Sequence, residues 1–201
     1  MKSALKRCWK TENPLHIKYH DEERGVPVYD DKKLFELLSL EAFQAGLTWE
    51  LILKRRNALK KVFADFDPKI IADYTETAVS SILSNPTIIR NRAKIDATIS
   101  NAQKFLEIQK EFGSFSRFVW RIVNEEPIDH GLKSMSDMPS ETTESQAMSK
   151  ELRRRGFKFV GPVICYAFMQ AVGLVNYHLI SCFRYKEIQR INTSNKDVAT
   201  Q

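Results

Sequence analysis

The sequence predicts an all-α protein. Apolar residues recur three and four positions apart in stretch after stretch, which places them on one face of a helix. Residues that start and stop helices bracket those stretches. No run alternates apolar with polar residues in the manner of a half-buried strand.

Residues 31–45 carry Leu34, Leu37, Leu38 and Ala45 at helical spacing, with Asp30 or Asp31 as N-cap. Residues 48–65 form a second helix, with Leu51, Ile52, Ala58, Leu59 and Val62 inward. Asp67-Pro68 opens a short helix, because proline suits the first helical position. Residues 75–84 make another, ended by Asn85-Pro86. Residues 88–111 read as a long helix with Ile95, Ile99, Ala102, Leu106 and Ile108 inward, stopping near Gly113. Residues 115–123 form a short aromatic helix around Phe118 and Trp120. The polar stretch 124–142 is a long loop between two helical lobes. Thr143 and Gln146 have capping-box spacing and start a helix that runs to Arg155, with Gly156 ending it. Residues 161–172 are a strongly apolar helix. One domain is expected over 1–187, and the polar residues 188–201 are expected to form a disordered tail.

The composition narrows the function classes. No apolar run approaches the ~20 residues of a membrane span. The N-terminal segment has no signal-type apolar stretch, so a cytoplasmic protein is expected. Three cysteines suit a reducing compartment better than a disulfide scaffold. The net charge of +6 favours a polyanionic partner. The cations fall in three groups: Lys54, Arg55, Arg56, Lys60 and Lys61; Arg90, Arg92 and Lys94; and Arg153, Arg154, Arg155 and Lys158. Such runs are commonly solvated helix faces, and three of them together point toward phosphate contacts.

Four residues have metal-ligand chemistry. Cys8 and His20 lie near one end of the chain, and His178 and Cys182 near the other. The i, i+4 spacing of His178 and Cys182 would set both on one helix face, and Cys2His2 suits tetrahedral zinc. Spacing alone leaves this open against a buried cysteine beside an unrelated histidine. All four ligands would be protein groups, so the metal would be structural and not catalytic.

Arg155-Gly156-Phe157-Lys158-Phe159-Val160-Gly161-Pro162 joins two helices through a turn with two glycines. Glycine lets the backbone approach a ligand, and the following helix offers N–H groups at its start. A turn of this kind can hold a DNA phosphate without reading sequence, although ordinary αα-turns are common. Glu41 follows Leu37 and Leu38 on the apolar face of its helix. It is either a hydrogen-bonded core glutamate, the simpler reading on composition, or a carboxylate facing a pocket. Trp49 stands just beyond the break Ala45-Gly46-Leu47-Thr48. Cys165 lies among apolar neighbours and reads as a core residue, and His130 as a surface histidine.

Four runs carry a resemblance. They are Asn13-Pro14-Leu15-x-Ile17-x-Tyr19-His20-Asp21-x-Glu23-x-Gly25-Val26-Pro27, Leu40-Glu41-Ala42-x-Gln44-Ala45-Gly46-Leu47-Thr48-Trp49, Ile89-Arg90-Asn91-Arg92-x-Lys94-Ile95, and the two-glycine hairpin. Together they resemble the 3-methyladenine DNA glycosylase I family over roughly residues 8 to 183. The resemblance implies a helix-hairpin-helix glycosylase fold whose termini are joined by one structural Zn(II) on Cys8, His20, His178 and Cys182. It implies that Glu41 and Tyr19 hydrogen-bond a flipped base and that Trp49 stacks on it, with Trp9 in the same pocket. Gly156, Lys158, Gly161 and Arg155 would meet the DNA backbone. The implied partner is double-stranded DNA with alkylated bases, and the implied process is base excision repair by a monomer at the bacterial nucleoid.

The chain departs from the family pattern in places. One residue is missing between Cys8 and Trp9, His16 replaces the usual Tyr, and Arg24 the usual Trp. No carboxylate occurs in Val175-Asn176-Tyr177-His178, where many related glycosylases carry an Asp. A monofunctional hydrolase is therefore expected, selecting a cationic base by a buried anion and π-faces. Leu47 is the candidate wedge, with a core-capping role as its alternative. A zinc-stapled DNA-damage-binding module without chemistry is the competing function.

Overall fold

Asp30 nucleates the central helix of the protein. Its side chain accepts the Lys33 N–H at 2.7 Å and starts α2, Asp31–Gln44. The computed structural model describes residues 5–199, with side chains described through Asn192. Within α2 every residue from Leu34 to Phe43 is buried. The sequence pattern predicts one apolar face; the helix is instead surrounded, so Glu36, Ser39 and Glu41 are drawn inside with it.

The remaining helices wrap α2. Before it come α1, Pro14–Lys18, and a single π-helical turn, Tyr19–Glu23. Thr48 caps α3, Trp49–Val62, by accepting the Leu51 N–H at 3.3 Å. This helix stops three residues short of its expected end, because Ala64, Asp65 and Phe66 all take positive φ. That turn buries Phe66 against Phe63, with ring centroids 5.7 Å apart. Next come α4, Pro68–Ile71, and α5, Glu76–Ser84. The long α6, Arg92–Phe112, begins later than the apolar spacing suggests, since Asn91 caps it through the Lys94 N–H. α7 is Phe115–Trp120.

The long loop is not wholly irregular. Ile128–Asp129 (β1) pairs in parallel with Val175–Asn176 (β2), a contact that two residues of sequence could not advertise. α8, Thr143–Arg154, starts from a capping box one residue earlier than predicted. Thr142 is the cap and Ser145 its partner, because the Thr142 hydroxyl accepts the Ser145 N–H and Ser145 Oγ accepts the Thr142 N–H. α9, Pro162–Ala171, packs between α8 and α2.

The region beyond 187 corrects an expectation. Phe183–Ala199 is one helix, α10, where polar composition predicts a disordered tail. Ile188 anchors it, fully buried, and Arg184 bridges to Glu187 at 2.8 Å.

The N-terminal strap is stitched to the end of α9. Gly25 N–H bonds Gln170 O and Val28 N–H bonds Val172 O. The approach is so close that a Cβ on Gly173, at φ +77°, would sit 2.5 Å from Pro27 N. Val26 and Pro27 lie between these two bonds, and Arg24 directly precedes Gly25.

Candidate functional site

Cys8, His20, His178 and Cys182 converge. All four are buried, and their ligand atoms lie within 4.8 Å of one another. Cys8 Sγ is 3.3 Å from His178 Nδ1, and Cys182 Sγ is 3.5 Å from His20 Nε2 and 3.8 Å from His178 Nδ1. A tetrahedral zinc with sulfur and nitrogen ligands sets its ligand atoms roughly 3.3–3.8 Å apart, so the group fits such an ion. The far ring nitrogens are also occupied. His20 Nδ1 faces Asp21 Oδ1 at 2.8 Å, and Asp21 is gripped by Arg7. His178 Nε2 lies 3.1 Å from the Arg24 carbonyl. These partners fix which nitrogen of each ring points inward. The hydrogen bond between the two sulfurs lowers the pKa of Cys182 and, with burial, raises that of Cys8. The i, i+4 prediction needs a correction. His178 and Cys182 lie on a turn before α10 and not on a helix, because Ile180 N–H bonds Leu132 O and Cys182 N–H bonds Leu179 O.

Beside this group lies a set of aromatic and charged side chains. Glu41 projects from the last turns of α2 and is 4% exposed. Among the described residues it has no hydrogen-bond partner. Burial pushes its acid up to about 7, against the opposing pull of Arg24. Tyr19, from the π-helical turn, packs its ring on Trp49 at 5.1 Å. Its hydroxyl is buried without a partner among the described residues, and burial raises its pKa. Trp49 occupies the first position of α3, held there by the Thr48 cap. Trp9 packs edge-on against His20 at 4.9 Å and stacks with Tyr177 at 6.2 Å.

Sequence reasoning underrated two residues here. Arg24 lies 4.2 Å over the Tyr177 ring and 5.5 Å over Trp9, and donates to Gln170 Oε1 at 2.6 Å. Tyr177, fully buried, joins Trp9 and Arg24 only because β2 folds back beside the N-terminal strap. Buried polar atoms without partners among the described residues gather in this region: Trp9 Nε1, His16 Nε2, Tyr19 OH, Arg24 Nε, Trp49 Nε1 and Tyr177 OH. Folded proteins pair such groups, so their accumulation marks a place built for a polar ligand. A separate cleft of about 640 Å³ opens on another side of Tyr19, but neither Glu41 nor Trp49 lines it. Its Arg56 is already paired with Glu23 and Glu36, and its Lys33 with the same two.

The two-glycine turn between α8 and α9 is tied to α6. Gly156 takes φ +91° and Phe159 φ +55°. Asn101 of α6 clasps the turn, accepting the Lys158 N–H at 2.8 Å and donating to Lys158 O at 3.0 Å. Gly161 caps α9, and the Lys158 side chain is exposed. Arg155 is committed elsewhere: it pairs with Glu111 and Glu151 and covers Phe112 and Phe118. Other cations of the basic groups are similarly engaged, Arg92 with Glu76 and Asp96 and Arg154 with Glu151. Leu47, at the tip of the α2–α3 break, is 36% exposed.

This architecture is that of DNA glycosylases. A crystal structure of 3-methyladenine DNA glycosylase I superposes with a TM-score of 0.86 at 47% identity, covering 89% of this chain and 98% of that one. The structure of the Staphylococcus aureus enzyme described for its 3-methyladenine recognition superposes with a TM-score of 0.86 at 39% identity, over 90% of this chain and 96% of that one. The chain is 46% identical over 182 residues to DNA-3-methyladenine glycosylase 1 of Escherichia coli, covering 90% of this chain and 97% of that protein. The methyladenine glycosylase family model matches residues 9–185, and the chain belongs to that family.

Proposed function

We propose that the protein hydrolyses the N-glycosidic bond of 3-methyladenine in DNA, the first step of base excision repair. The observation that carries this is Glu41, a buried carboxylate with no hydrogen bond among the described residues, close to the hydroxyl of Tyr19, whose ring packs with that of Trp49. A variant of 3-methyladenine DNA glycosylase I with 39% identity to this chain has been solved in complex with 3-methyladenine, which supports the choice of base.

Methylation at N3 leaves the nucleobase cationic. Its departure as a neutral base then needs no general acid. Glu41 as the anion attracts that cation, and Trp49 offers a π-face to it. In this reading the Tyr19 hydroxyl and Glu41 hydrogen-bond the base edge, and Trp9 belongs to the same pocket. The base must first leave the duplex. Exposed Leu47 is suited to fill the gap it leaves. Gly156, Lys158 and Gly161 would present the hairpin to a phosphate, while Arg155 braces the turn from inside. The mechanism is monofunctional: Lys94, the buried lysine nearest the break, has its ammonium bound to two carbonyls and is unavailable for a Schiff base.

Cys8, His20, His178 and Cys182 would hold one zinc ion, which supplies a crosslink between the two ends of the domain and no chemistry at the base. The reading as one domain rests on the main core, which draws residues from Leu34 to Tyr177.

One observation favours the competing role of a damage-binding module. Arg24 puts a permanent cation near Glu41, which opposes a cationic base. Release of free 3-methyladenine from methylated DNA, lost in Glu41→Gln, decides for the enzyme; binding without release by a folded protein decides for the module.

A further inference from the structure

Lys94 is buried, yet no carboxylate pairs with it among the described residues. It stands in the first turn of α6, where the helix dipole disfavours a cation. Its ammonium crosses to the end of α2 and donates to Phe43 O and Ala45 O, each at 2.7 Å. Those carbonyls belong to the last turn of α2 and its cap, where the helix has no N–H groups of its own to offer. Immediately beyond lie Gly46, at φ +74° with open space around it, and Leu47, whose N–H bonds Gln44 O at 2.6 Å. The turn therefore has few restraints of its own and is pinned from outside by one side chain.

We infer that Lys94 is a positioning residue for the glycosylase reaction, holding the Ala45–Leu47 turn at the height from which Leu47 enters the DNA stack. This rests on the proposed function. Trp49 is seated independently, by the Thr48 cap and by the Tyr19 ring. Loss of Lys94 should thus impair the opening of DNA and leave recognition of a free base intact. A buried ammonium held by two carbonyls is also a costly device for simple stability, since an apolar side chain of similar length would avoid its desolvation.

The test compares the wild-type protein with Lys94→Met and Lys94→Gln, all metal-loaded and full length. Three measurements are made. Free 3-methyladenine binding is read by tryptophan fluorescence. Single-turnover release is read on methylated duplex. Opening of the stack is read on a duplex carrying 2-aminopurine beside an abasic-site analogue. Lys94→Met is expected to lower the release rate about 100-fold, as misplacement by about an ångström does. It should lose the 2-aminopurine rise and bind free base as the wild type does. Lys94→Gln, which can reach one carbonyl, should fall between. Equal losses in free-base binding and release, or an unchanged 2-aminopurine rise, would overturn the inference. If Lys94→Met does not fold, the same criteria apply to Lys94→Gln. A wild type that opens the stack but releases no base would defeat the glycosylase reading alone, and the 2-aminopurine comparison would still decide on Lys94.

Discussion

Glu36 and Glu41 sit five residues apart on one helix, both glutamates, 3% and 4% exposed. Their surroundings are opposite. Glu36 is held by Arg56 at 2.8 Å and Lys33 at 3.1 Å. Burial alone would raise its acid, but those cations keep it below the ordinary carboxylate range. Glu41 has no ion pair or hydrogen bond among the described residues, and burial lifts it to about 7 against the opposing pull of Arg24. Depth therefore does not mark a functional carboxylate; an absent partner does. Glu36 is part of the scaffold, and Glu41 is a group whose counter-charge is expected to arrive with the ligand.

The sharpest way to break this contrast is to neutralise each in turn. Glu41→Gln should reduce single-turnover release of 3-methyladenine by about 100-fold or more, measured on methylated duplex. It should also make the protein more stable at pH 8, by about 1–3 kcal/mol in urea unfolding. The sign follows from the raised acid. A folded-state value above the unfolded one favours folding while the proton is bound, and this is lost as pH rises from about 4.5 to about 7. Glu36→Gln should do the reverse, leaving the release rate near wild type and costing about 2–3 kcal/mol, since Arg56 and Lys33 lose a buried partner. Equal effects of the two substitutions would remove the distinction.

Titration offers a second probe. If the Glu41 anion does the selecting, kcat/KM should fall as pH drops through about 7, about tenfold per unit below it. Glu36 should act only on stability. Its contribution is present above the unfolded carboxylate value and is lost when pH falls through its lower folded value. A pH–rate profile flat from 5 to 8 would separate Glu41 from the chemistry.

Removing the metal should lower stability first and activity through it. Metal analysis should find about one zinc per chain. Cys182→Ser should unfold several degrees lower by calorimetry, and an equal melting temperature would defeat the metal assignment. The smallest effect is expected at the hairpin. Lys158→Ala should weaken DNA binding at all sequences alike and reduce the salt slope by about one, with free-base affinity unaltered.

The helices were legible because their caps and apolar spacings are local. Asp30, Thr48 and Asn85-Pro86 mark boundaries within a few residues of the bonds that make them. Glu41 could be singled out from Leu37 and Leu38 on its own helix. What escaped depends on partners distant in sequence. The pairing of Arg155 with Glu111, 44 residues away, cannot be read from its own helix. Arg24 and Tyr177 meet only once β2 lies beside the strap. The capping box slipped by a residue because both Thr142 and Thr143 can start a helix and only the bonds choose between them. Ile188, one apolar residue in a polar stretch, was too little to announce the buried anchor of α10.

The ligand group and the aromatic wall are consecutive in the chain: Cys8 with Trp9, Tyr19 with His20, and Tyr177 with His178. A single peptide unit joins each ring to its neighbour in the Cys2His2 group, so displacing that group would carry the rings with it. His16 and Arg24 are different. Neither is adjacent to a ligand residue, and the Arg24 contact with His178 is made by its backbone. Substitution at either position would therefore leave the four metal-type side chains and their mutual contacts in place.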